Sequence, residues 1–127
     1  MTYMKQIRSL TLIIMMIVSA VVLVACGVDA LQKAVDIINS DEEMHAEMAG
    51  LFTVYAEARG NSTMVVTFKA EMEELATVEV AQAGADAAAS DFQVAVEEMR
   101  NARITDPKVI LEFLDMDGNL LYSREFS

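Results

Sequence analysis

A short basic stretch, an apolar run and a single cysteine divide this chain before any fold is considered. Lys5 and Arg8 precede an uncharged run from Leu10 to Ala25, interrupted only by Thr11 and Ser19, and the one cysteine of the sequence, Cys26, follows directly. A basic start, an apolar core and small residues at the exit make a secretory signal pattern. The run is about 16 residues, short of the roughly 20 an α-helix needs to cross the hydrocarbon core. A cleaved signal is therefore expected over residues 1–25, and all folding information is expected in residues 26–127.

The exit of that signal carries its own chemistry. Leu23-Val24-Ala25-Cys26-Gly27 has the form of a lipobox: Leu23 at minus three, small Ala25 at the cleavage position, and then the thiol that accepts a diacylglyceryl group. Met4-Lys5 offers an alternative start that keeps the pattern intact. One cysteine cannot form an intramolecular disulfide, so an exported chain with an odd thiol calls for another use of it. Acylation contributes about 0.8 kcal/mol per buried methylene, and two or three chains on one residue anchor stably. The expected site residues are thus Cys26 for lipidation and Ala25 for signal cleavage. The expected location is the extracytoplasmic face of the cell membrane, and the expected membrane contact is the lipid on Cys26.

Removing residues 1–25 from 127 leaves 102, enough for one domain with a modest core and too few for two. All twenty acidic residues lie after Cys26 while Lys5 and Arg8 depart, so seven basic residues remain and the mature net charge is −13. Such a charge repels nucleic acid and anionic headgroups, and nucleic acid is excluded as a partner. Trp is absent and aromatics make up only 6% of the chain, which argues against a stacking groove for bases or sugars.

Periodicity then orders the mature chain. Leu31, Val35 and Ile38 repeat at helical spacing and predict a first helix over 28–38, close behind the anchor because only Gly27 is available as a tether. Ser40-Asp41-Glu42-Glu43 has the form of a capping box and predicts a second, short helix to Met48, ended by Gly50. Leu51–Ala58 and Met64–Lys69 alternate around Arg59-Gly60-Asn61-Ser62, which predicts a β-hairpin with one face buried and one wet. Residues 72–103 form the longest helical candidate, with Leu75, Val78, Ala81, Ala85, Ala88, Phe92, Val96 and Met99 on one stripe. Gly84 and Ser90-Asp91 are places where it could break.

After Asp106-Pro107, Lys108–Leu114 and Leu120–Phe126 predict a second hairpin. Its register is open, because Val109, Leu111 and Phe113 compete with Ile110, Leu114 and Tyr122 for the core face. Apolar residues on both faces fit either a central strand or a contact surface. The expected fold is α+β, in the order helix, hairpin, helix, hairpin, with the helices on one face of a four-stranded antiparallel sheet.

Candidate chemistry is sparse. His45 is the sole histidine and sits within reach of Asp41 and Glu42 on one helix face. Without a second His or a usable Cys it makes a poor metal ligand, and a solvated helix position is the reading preferred for it. Asp115-Met116-Asp117-Gly118-Asn119 resembles a calcium loop only in its alternating oxygens. An EF-hand needs glycine at its sixth position and a terminal Glu, so a hairpin turn with a type I core and a left-handed glycine is expected. Ser40, Ser62, Ser90 and Ser123 lie in cap, turn or strand contexts without a nucleophile elbow. No catalytic residue, cofactor or metal is assigned, and a non-enzymatic module is expected. It would engage an envelope or extracellular protein through the exposed sheet face or the final hairpin. The alternative is a small-molecule or cation-binding role that uses Asp115 and Asp117.

The lipobox, Asn39-Ser40-Asp41-Glu42, Asp106-Pro107-Lys108-Val109, Phe113-Leu114-Asp115 with Asp117-Gly118-Asn119, and Leu121–Phe126 together resemble a family of small lipoproteins of Gram-positive, clostridial-type bacteria. That family is catalogued as a domain of unknown function. The resemblance implies a Gram-positive cell-surface location and carries over no catalytic residue. The Ala-rich segment around Gly84 departs from the more polar helix of that family.

Overall fold

The structure is a computed structural model; it describes residues 29–127, with side-chain burial from residue 31 onward. The expected signal, Ala25 and Cys26 lie outside the described residues. Helices α1 (Asp29–Ser40) and α2 (Glu42–Met48) lead into strands β1 (Phe52–Arg59) and β2 (Thr63–Ala70). A 3-10 turn (Glu73–Leu75) and helix α3 (Val78–Asn101) follow, and then strands β3 (Lys108–Leu114) and β4 (Leu120–Phe126).

The sheet is mixed, which corrects the expectation of a purely antiparallel one. Strand order is β1-β2-β3-β4, with β1/β2 and β3/β4 antiparallel but β2/β3 parallel. The reason lies in the length of α3. Twenty-four helical residues span about 36 Å, more than the roughly 26 Å of an eight-residue strand. Such a helix carries the chain from the end of β2 back to its beginning. There the Lys108 amide donates to the Ser62 carbonyl at 2.9 Å, and Thr63 stands beside Lys108 in parallel register. A parallel pair needs a crossover of this kind, whereas an antiparallel pair needs only a turn.

The helices cover one face of the sheet, α1 and α2 over β1 and α3 over β3 and β4. Between them lies a single core in which all five phenylalanines are buried. Phe68 stacks on Phe113 at 5.2 Å and meets Phe52 edge-on at 6.1 Å, which ties the first three strands together at one end. Phe92 of α3 stacks on Phe126 of β4 at 5.2 Å. Ala81, Ala85, Ala88 and Ala95 let α3 approach the sheet closely, and the helix is unbroken at both Gly84 and Ser90.

Three boundaries differ from the periodicity. The long helix begins at Val78 rather than near 72, because the Thr77 side chain accepts the Val80 amide at 3.2 Å and so caps it. Leu75 stays in the core from the 3-10 turn, while Val78 is exposed. The cap of α2 is Asp41, whose Oδ1 accepts the Met44 amide at 2.9 Å, so α1 extends through Ser40. In the last hairpin Val109, Leu111 and Phe113 take the core face, with Tyr122 opposite Phe113.

Candidate functional site

No described helix lies on the second face of the sheet, and its composition follows from strand alternation and register. Tyr55, Thr67, Glu112 and Ser123 stand in one row across all four strands; Glu57, Val65, Ile110 and Glu125 form the neighbouring row. The face is not uniformly wet, as a simple hairpin would be. Val65 is fully buried and Thr67 is 3% exposed, because β2 is flanked on both sides and the longer side chains of β1 and β3 close over it. Tyr55 is left 42% exposed, and the apolar Leu120 at the hairpin end is more exposed still.

Charge on this face is arranged unlike the rest of the molecule. Glu57, Glu112, Glu125 and Glu71, which accepts from Thr53 Oγ1, stand with Arg59, Lys69 and Lys108, four carboxylates to three cations, whereas acidic residues outnumber basic ones by twenty to nine over the whole chain. The Arg59 guanidinium is 3.1 Å from the Glu57 carboxylate and 3.9 Å from that of Glu112. Thr67 Oγ1 donates to Glu112 at 3.5 Å, and Lys108 reaches Glu125 at 4.0 Å. Exposed pairs of this sort contribute little to stability, up to about 1 kcal/mol each. Their consequence is instead a surface close to charge balance on an acidic protein.

The residues singled out in the sequence have structural work. His45 Nε2 donates to the carbonyls of Ile38 and Asn39, both at 3.1 Å, and so satisfies the open end of α1. Its partners are therefore main-chain oxygens and not Asp41 or Glu42. Asp115 Oδ1 accepts the amides of Asp117 at 2.9 Å and Asn119 at 2.8 Å. The Asn119 amide above all holds the Asp115 carboxyl below its ordinary value of 3.8. Gly118, at φ +87°, donates to the Asp115 carbonyl, giving the type I turn with a left-handed glycine that the spacing predicts. Among the described residues no three His, Cys, Asp or Glu side chains converge as a metal site would require. Ser40, Ser62, Ser90 and Ser123 are scattered over α1, the first hairpin turn, α3 and β4.

Arg124 lies on the helix-covered side. Its Nη2 donates to Asp86 of α3 at 2.6 Å and its Nε to the Tyr122 hydroxyl at 2.8 Å, and the Asp86 bond raises the guanidinium above its ordinary value. An open, polar depression of about 560 Å³ lies where α3 meets β3, lined by Arg100, Asp106, Pro107, Lys108 and Ser127. It lacks the apolar wall of a small-molecule pocket.

The Tyr55–Ser123 row escaped sequence reading because it joins residues from four segments whose order in the sheet was not known. The signal that could have found it is Met64-Val65-Val66-Thr67-Phe68, a run too apolar for a strand with a wet face.

These features define a small α+β domain, three helices on one side of a four-stranded mixed sheet and a face of mixed charge on the other. The chain belongs to the DUF4854 family, a domain of unknown function, whose model matches residues 31–126. No curated protein and no solved structure matches it.

Proposed function

We propose that this protein is a non-enzymatic, lipid-anchored binding module on the extracytoplasmic face of a Gram-positive cell membrane. The sheet face that no described helix covers engages a protein of the envelope or the extracellular space. The anchor rests on Cys26, directly behind Leu23-Val24-Ala25, with twenty acidic residues confined to the mature part and nothing else in that part attractive to a bilayer. The observation that carries the binding reading is the gathering of three of the mature chain's seven cations on this one face. Over the rest of the surface an acidic partner meets net repulsion, whereas around Tyr55 and Ile110 it meets apolar area framed by three cations as well as four carboxylates.

Two measurements test the two halves separately. Intact-mass analysis of membrane-extracted protein should find diacylglycerol on an N-terminal Cys26; an unmodified thiol on a chain that still carries residues 1–25 removes the anchor. Cross-linking from Tyr55 on intact cells should capture a defined partner that Ile110→Lys abolishes. Capture that persists unchanged in Ile110→Lys moves the contact off this face.

A further inference from the structure

The two edges of the sheet are treated differently. At the β1 edge, the Asn39 carboxamide takes both main-chain groups of Ala56: Nδ2 donates to its carbonyl and Oδ1 accepts its amide, each at 2.8 Å. A strand approaching β1 finds its central bonding position already used. At the other edge β4 runs from Leu120 to Phe126, and among the described residues no chain or side chain bonds its outer side.

Charged side chains on an edge strand ordinarily discourage pairing by another strand. In β4 both are drawn away from the edge. Arg124 is held by Asp86 and the Tyr122 hydroxyl, and Glu125 faces Lys108 on the neighbouring strand. Ser123, exposed and uncharged, is left at the strand's centre.

We propose that a second copy of this chain pairs with β4, antiparallel about Ser123, to form one continuous sheet twice as wide. The strand is self-complementary in that register. Ser123 meets Ser123, and Tyr122 of each copy meets Arg124 of the other on the helix-covered side. Within one copy the Arg124 guanidinium, held by Asp86, lies 5.5 Å from its own Tyr122 ring centre, so the ring of the second copy arrives beside a cation already in place. A cation over an aromatic face attracts, and cross-strand pairs of this kind set register. The pairing leaves the Tyr55 row uncovered and does not depend on the anchor. Because each full chain carries −11, association should tighten as salt screens the repulsion.

The test uses the full chain with Ser123→Cys, since directly opposed residues of an antiparallel pair lie within disulfide reach. Mild oxidation should give a covalent dimer joined at position 123, beyond the background that Cys26 gives in the unsubstituted chain. Glu57→Cys on the closed edge should give none above that background. In sedimentation, Ser123→Lys should weaken dimerisation by about fivefold with unchanged circular dichroism, because it opposes like charges at the two-fold axis. A monomer at all concentrations and salt levels, dimers that Ser123→Lys leaves intact, or equal cross-linking from Glu57→Cys would each overturn the proposal.

Discussion

Asn39 and Ala56, seventeen residues apart in sequence, are joined by two hydrogen bonds of 2.8 Å that make the end of α1 an honorary neighbour of β1. A carboxamide has the donor and acceptor of a peptide group, so it occupies an edge position as another strand would. Asn39→Ala leaves one amide and one carbonyl of β1 without their partner in a partly buried place. The expected cost is about 1–3 kcal/mol. Asn39→Asp keeps the acceptor but sets a carboxylate against the Ala56 carbonyl, and should cost at least as much. Urea unfolding of both variants checks this; a loss within error of zero would mean that water replaces the side chain.

The end of α3 makes the opposite prediction. Ile104 N–H bonds to the Met99 carbonyl and Arg103 N–H to that of Arg100, the crossed pair of a Schellman motif, with Met99 and Ile104 both buried. The residue in the left-handed position is Arg103 at φ +67°, where glycine is usual. A side chain with a Cβ is disfavoured there. Arg103→Gly should therefore stabilise the domain by about 0.5–1 kcal/mol, less what glycine's looser unfolded state takes back. A raised urea midpoint at constant m-value is the signature.

Core packing gives the largest expected loss. Phe92 is fully buried and is the aromatic contact between α3 and β4 through Phe126. Phe92→Ala should cost about 3–5 kcal/mol, a large part of the total stability of a domain this size. Because α3 is also the crossover that makes β2 and β3 parallel, its loosening should appear as faster amide exchange in β3 and β4 before β1. Uniform exchange across all four strands would contradict the inference that α3 holds one half of the sheet.

How much of this was legible in the sequence follows from which interactions are local. All four strands lie within a residue or two of where alternation put them, since Phe52, Val54 and Ala56 or Met64, Val66 and Phe68 declare a face without reference to the rest of the chain. The turn at Asp115–Asn119 was equally local. The parallel pairing of β2 with β3 was not, because nothing within either strand states whether β3 settles beside β2 or beside β1. The start of that helix was missed because Leu75 fits its apolar stripe while sitting in a 3-10 turn, and the Thr77 cap went unread. His45 reads from the sequence as a solvated helix residue, since its partners are main-chain atoms that no side-chain pattern reveals.

Acid should act on this fold in part through Asp115. Its carboxylate accepts the amides of Asn119 and Asp117, and these bonds favour the charged form, so its folded pKa lies below the unfolded value near 3.8. A depressed pKa contributes stability that is fully present above the unfolded value and is lost as pH falls through the folded one. Asp115→Asn removes that contribution while leaving an oxygen for the turn. The variant should be less stable than wild type at neutral pH, and the gap should narrow as pH drops below about 4, where the wild-type carboxylate takes up its proton. Paired urea titrations between neutral pH and the acid limit measure this directly. A gap that stays constant across the acid range would show that the turn depends on the shape of the side chain and not on its charge.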